Sequence, residues 1–235
     1  ADADLDDRAL AFCEALATKA PLAVRLTKMM MSRALEVSLD ASHEAAQVAV
    51  MVTNPSDDSE LGPLPCATAA DIDRALAAAD RAFHSWKRTD PEVRAALLRR
   101  TAAILKERIE QAAAIITLEQ GKPVPDSRNE VLRAASFLEW DAEQLLRSQA
   151  RLIPSPAGVQ QTVIREPIGP VAAFTPWNVP ISSPGRKLAG TIGAGCPVII
   201  KAAAETPAIL VFFAQCFIDA GVPAGVLQVL SGRSS

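Results

Sequence analysis

Apolar positions along this chain follow two different rhythms. Near the N-terminus they recur every three or four residues. Leu5, Ala9, Phe12, Cys13 and Leu16 predict a helix over 5–19. Pro21 suits the first turn of a second helix, "PLAVRLTKMMMSRALEV", with Leu22, Leu26, Met29, Met30 and Ala34 on one broad face. The Met29–Met31 run reads as core filling rather than a flexible binding surface, because methionine packs irregular gaps. A third helix is predicted over about Ala41 to Val52, with a strongly apolar end that needs a partner. The stretch "TNPSDDSELGPLP" clusters Asn, Pro, Ser, Asp and Gly. It predicts a loop, and a boundary between a helical segment 1–53 and a second unit 54–235.

The helical rhythm continues beyond that break. Thr68 and Asp71 form a capping-box pattern, followed by Ile72, Leu76, Ala79, Phe83 and Trp86 on one face. Asp90-Pro91 starts a helix that runs to about Gln120 and stops at Gly121-Lys122-Pro123. Ser127 and Glu130 suggest a second capping box, ahead of Val131, Ala135, Leu138, Ala142 and Leu145. Prolines, glycines and a β-branched run at 162–164 then predict loop and edge strand.

From Gly169 the rhythm changes to short apolar runs alternating with helical stretches. The order is strand 170–175, helix 182–193, strand 197–201, helix 207–220 and strand 226–230. Such alternation predicts β-α-β units around a parallel sheet, an α/β fold. "VAAFT" and "PVIIK" have the unbroken apolar character of buried strands.

Composition narrows the function classes. A net charge of −3 with no basic stripe gives no electrostatic case for nucleic acid, and the chain has no tyrosine to help stack bases. No apolar run approaches the ~18 residues of a membrane span. Cys13, Cys66, Cys196 and Cys216 form no C-x-x-C pair, and two histidines give no zinc spacing, so free thiols in a cytoplasmic protein are expected and no metal site. The alanine at position 1 and the closing "LSGRSS" read as cuts rather than natural termini.

Candidate chemistry sits where the predicted strands end. Open parallel sheets bind ligands beyond the carboxyl ends of their strands. Thr175 to Asn178 and Lys201 occupy two such ends, expected to be neighbours. A lysine there can pair with ribose hydroxyls or phosphate. An asparagine can donate to a developing oxyanion, or can simply bond local backbone in a turn; spacing alone leaves both open.

These residues carry a resemblance. "PWNVP", "GAGCPVIIK", "ETP" and "DAGVPAGVLQVLSG", preceded in order by "DIDRALAAADRAFHSW", "RAALLRRTAAIL", "LEQGKP" and "REPIGPVAAFTPWN", are similar to the aldehyde dehydrogenase superfamily over Thr53–Gly232. The similarity implies a partial Rossmann-like sheet of that type, truncated, using NAD or NADP to oxidise an aldehyde such as succinate semialdehyde or an aromatic aldehyde. It implies that Asn178 is the oxyanion donor, that Thr175, Pro176 and Trp177 line the path of the nicotinamide dinucleotide, and that Lys201 bonds the adenosine ribose or a 2′-phosphate. It also implies subunit pairing through the strand near 160–166, hence a homo-oligomer. A three-strand parallel sheet with unpaired edge strands separately predicts association through its exposed edges.

Two features depart from that pattern. Ala204 occupies a cofactor-selecting position where the family usually has Glu or Ser, and Glu205 falls one residue late. The family's nucleophilic cysteine and general-base glutamate follow the third strand, so the chain as given is expected to lack them. The alternative expectation is an inactive remnant that binds nucleotide weakly or docks on a full-length homologue. "LAFCEALATKAPLAVRLTKMMMSRALEVSLDASHEAA" resembles instead the C-terminal helices of the enoyl-CoA hydratase/isomerase (crotonase) superfamily, which suggests a fusion.

Overall fold

The computed structural model describes residues 49–232. The two N-terminal helices and the crotonase-like resemblance lie outside the described residues, as does most of the third helix.

The described chain opens with an antiparallel hairpin. Strand β1, Ala49–Thr53, pairs with β2, Glu60–Pro65. This corrects two expectations. The end of the predicted third helix is extended, and half of the predicted loop is a strand. "VMVT" mixes β-branched residues with alternating burial, Met51 exposed and Val52 buried, which suits a strand better than a helix face. Of the prolines that suggested a loop, Pro63 and Pro65 sit on β2, where an edge strand tolerates them, and Pro55 lies in the turn. Only residues 54–59 turn, closed by an Asn54 side chain that accepts from the Ser56 amide.

Four helices follow. Helix α1 is Ala69–Trp86, α2 Pro91–Glu107, α3 Ile109–Gln120 and α4 Val124–Leu146. The Thr68–Asp71 capping box forms as expected, the Thr68 hydroxyl accepting from the Asp71 amide at 3.3 Å and the Asp71 carboxylate from the Thr68 amide at 2.7 Å. Thr68→Ala removes one of these bonds and is expected to lower stability by about 1 kcal/mol, read from the urea midpoint. The apolar stripe of α1 is split: Ala75, Ala79 and Trp86 are buried, whereas Ile72 and Leu76 are exposed. The single helix predicted from Pro91 to Gln120 is two, broken at Arg108, whose backbone leaves helical geometry (φ −101°, ψ 20°). Gly121 ends α3 in the left-handed region (φ 74°), the stop the glycine-proline pair predicts.

Helix α4 starts earlier than its apparent capping box. Pro123 is its N-cap, so Ser127 and Glu130 lie within the helix. Glu130 caps a different helix. The expected buried face holds: Val131, Ala135, Leu138 and Ala142 are fully buried.

A short antiparallel pair, β3 (Arg151–Ile153) with β4 (Gln161–Val163), carries the predicted edge strand. Strand β5, Val171–Phe174, helix α5, Ser182–Gly193, strand β6, Val198–Lys201, helix α6, Pro207–Ala220, and strand β7, Leu227–Leu230, complete the described chain. The three strands form a parallel sheet in the order β5-β6-β7, as the alternation predicts. Ala173, Val198, Ile200 and Val229 belong to one core with α2–α6; the fully buried Phe213 and Phe217 of α6 meet there with ring planes tilted by 59° and centroids 5.0 Å apart. Gly185 lets α5 meet α4 closely: a Cβ there would lie 3.2 Å from the Ala134 backbone.

Helices α5 and α6 connect the strands, and buried polar side chains from the helical layer satisfy their ends. Glu130 accepts from the Ile181 and Ser182 amides, each at 3.1 Å, at the start of α5. At its far end the Trp86 indole donates to the Ile192 carbonyl at 3.1 Å, and the Arg94 guanidinium to Gly193 at 2.9 Å. Glu119 accepts from the Ala208 and Ile209 amides at 2.7 and 3.0 Å, at the start of α6. These long-range bonds fix the strand ends, and with them the site.

Candidate functional site

Parallel register sets the first element of the site. Phe174 pairs with Lys201, so β5 and β6 end side by side. Thr175, the next residue, donates its hydroxyl to the Lys201 carbonyl at 3.1 Å. Among the described residues the Lys201 ammonium has one hydrogen bond, to the adjacent Ala202 carbonyl at 3.3 Å. It keeps donors to spare.

Beside Lys201 lies a hollow of about 640 Å³, lined by Thr68, Ile72, Leu76, Phe174, Lys201 and Leu230 among others. This accounts for the split stripe of α1. Ile72 and Leu76 face the outer side of the sheet across open space, and Phe174, 66% exposed, borders the same space. The hollow is apolar-walled with one cation, and its volume suits a small-molecule ligand.

The tripeptide after Thr175 takes another course. Pro176, Trp177 and Asn178 are exposed, Trp177 by 55%, and none lines the hollow. The Asn178 backbone carbonyl accepts from Gln120 Nε2 at 2.9 Å and Lys122 Nζ at 3.2 Å. Its side-chain amide has no hydrogen bond among the described residues, so it is not spent on the turn. Ala204 is half-buried, offers no polar group and does not line the hollow; Glu205 beside it is exposed. The structure thus joins Thr175 to Lys201 and puts Lys201 in a ligand-sized hollow, with Asn178 held separately by the α3–α4 junction.

Sequence reasoning missed that junction. Gln120, Lys122 and Glu130 were visible only as "LEQGKP" and as an apparent helix cap, and no local pattern says that they reach a turn more than fifty residues away. Of the described cysteines, Cys196 and Cys216 are buried, and burial pushes the Cys216 thiol up to about 12. Both are packing residues, as their contexts predict. No cluster of metal-ligating side chains occurs among the described residues, and no described helix is long and apolar enough to cross a membrane.

Comparison with known proteins fits this geometry. The profile described as "Aldehyde dehydrogenase family" matches residues 42–235. The chain is 42% identical over 176 residues to a succinate-semialdehyde dehydrogenase of Paenarthrobacter nicotinovorans, covering 74% of this chain and 39% of that protein. It is 40% identical over 197 residues to the succinate-semialdehyde dehydrogenase [NADP(+)] GabD of Escherichia coli (strain K12), covering 83% of this chain and 40% of that protein. A solved aldehyde dehydrogenase from Brucella melitensis biovar abortus 2308 superposes with a TM-score of 0.80 at 37% identity, covering 85% of this chain and 42% of that one. The chain belongs to the aldehyde dehydrogenase family. It spans about two fifths of the length of these relatives.

Proposed function

We propose that this chain supplies the nucleotide-binding and oxyanion-stabilising portion of an NAD(P)-dependent aldehyde dehydrogenase whose substrate is a short carboxylate-bearing semialdehyde of the succinate-semialdehyde type. The observation that carries the reading is the pairing of the β5 and β6 ends, Thr175 bonded to Lys201, beside a ligand-sized hollow. The apolar walls, Ile72, Leu76 and Leu230, suit an adenine ring, and the Lys201 ammonium suits ribose hydroxyls or a 2′-phosphate. The donor set therefore fits the adenosine half of a nicotinamide dinucleotide. When bound, that cofactor takes hydride from the substrate.

The chain's own residues divide the remaining work. Thr175 and Lys201 fix the strand ends; Pro176 and Trp177 border the path beyond them. Asn178 donates its amide N–H to the oxygen that gains charge as the carbonyl is attacked. Cys216, buried with a strongly raised pKa, is not the attacking thiolate. Similarity to the two succinate-semialdehyde dehydrogenases favours the substrate class. The nucleotide remains NAD or NADP, since Ala204 offers neither a bond to a ribose hydroxyl nor a repulsive charge against a 2′-phosphate.

Lys201→Ala is expected to weaken nucleotide binding about tenfold, the loss of one charge-assisted hydrogen bond in a partly open site. Equilibrium titration of NADH and NADPH, followed by their own fluorescence, reads it directly. A dissociation constant within twofold of wild type for both would remove Lys201 from the site.

A further inference from the structure

Lys122 and Glu130 form a partly buried ion pair at the α3–α4 junction, with side chains 18% and 4% exposed. Glu130 alone accounts for the α5 cap: its carboxylate takes the Ile181 and Ser182 amides and the Ser182 hydroxyl. Glu119 does the same for α6, with no lysine attached in the bonds described for it. Capping α5 therefore does not require that Lys122 also reach the Asn178 carbonyl, or that Gln120 bond the same oxygen. For Gln120 this arrangement is costly. With its NH₂ turned to Asn178, its Oε1 is buried with no partner among the described residues, the kind of unsatisfied group that calls for a reason.

We infer that Gln120, Lys122 and Glu130 form a clamp that positions Asn178. Residue 178 is gripped by its carbonyl and residues 181–182 by their amides, and the one Lys122–Glu130 pair joins both grips. Only Val179 and Pro180 lie between, and Pro180 has a fixed φ. The backbone on both sides of the turn is thus immobilised while the Asn178 side chain stays exposed and uncommitted. An oxyanion donor works by being pre-set before charge develops, so its value depends on such a hold. The three are positioning residues, acting through Asn178. The inference rests on the reading of Asn178 as the donor, but its test does not.

Lys122→Met, Lys122→Arg and Gln120→Leu are compared with wild type in the full chain by NMR, with the Asn178 side-chain amide assigned and backbone hydrogen exchange followed. Lys122→Met is expected to shift the Asn178 NH₂ resonances and to speed exchange at Ile181 and Ser182 about tenfold, as loss of one charged hydrogen bond implies. Ala208 and Ile209, capped by Glu119, should stay within twofold. Lys122→Arg should restore both signals. Gln120→Leu, which leaves the ion pair intact, should also shift the Asn178 resonances, and it stands in if Lys122→Met does not fold. Asn178 resonances that superimpose on wild type, or equal acceleration at Ala208 and Ile209, overturn the clamp. If Asn178→Ala leaves turnover of an aldehyde dehydrogenase containing this chain unchanged while Lys122→Met still moves the resonances, the clamp stands and the donor role fails.

Discussion

If Asn178 is the oxyanion donor proposed above, Asn178→Ala is expected to lower kcat of an aldehyde dehydrogenase containing this chain by about 10²–10³, or about 2.7–4 kcal/mol of transition-state stabilisation, with little change in KM. The asymmetry follows from when the bond matters. A neutral carbonyl gains little from one amide donor, whereas the oxyanion formed on attack gains a great deal. Asn178→Asp, similar in size but without an N–H, should lose as much. The structure makes this a clean test. Asn178 is exposed and its side chain makes no hydrogen bond among the described residues, so its removal should leave stability within about 0.5 kcal/mol. A large rate loss with unchanged stability assigns the effect to chemistry. Unchanged kcat withdraws the donor role.

Glu119→Gln changes how stability depends on pH. Glu119 is 3% exposed, and burial pushes its pKa from 4.5 up to about 8, against the pull of the Ala208 and Ile209 amides. Below 4.5 the carboxyl is protonated in both the folded and unfolded chain, and its contribution is complete. Between 4.5 and about 8 the unfolded chain releases the proton while the folded chain keeps it, so stability falls as pH rises; above 8 both are ionised and the fall stops. The limiting slope is about 1.4 kcal/mol per pH unit. The amide introduced by the substitution cannot ionise, so the variant lacks this slope. It keeps one oxygen acceptor for the start of α6, and at pH 5 is expected to be about 1 kcal/mol less stable than wild type. By pH 8 the order should reverse, wild type having lost roughly 3–4 kcal/mol relative to the variant. Urea unfolding at both pH values measures this; parallel profiles would mean that Glu119 is ionised in the folded protein at pH 5.

How much of this was legible in the sequence depended on whether the determining interactions were local. The parallel sheet and helices α5 and α6 appear almost residue for residue, because β-α-β alternation is written in runs of four to fourteen residues. The α1 cap was equally legible, since Thr68 and Asp71 satisfy each other. Failures came where a partner lay far off. Ala49–Thr53 is a strand because Glu60–Pro65 pairs with it, and "ELGPLP" has no strand character of its own. Ser127 and Glu130 imitate a cap in spacing, but the amides that Glu130 serves are on Ile181 and Ser182. Ile72 and Leu76 continue an apolar stripe that locally looks like core, and their exposure follows from the hollow they border. The adjacency of Thr175 and Lys201 at neighbouring strand ends was legible from the strand pattern. What holds Asn178, and that Ala204 stands apart from the hollow, emerged only in three dimensions.

The most direct measurement of the central claim is a crystal structure of this chain with NADP bound. The account predicts the adenosine ribose or its phosphate within hydrogen-bond distance of Lys201 Nζ, in the hollow between α1 and the outer face of the sheet. Nucleotide bound away from the ends of β5 and β6, with Lys201 still bonded only to Ala202, would contradict it.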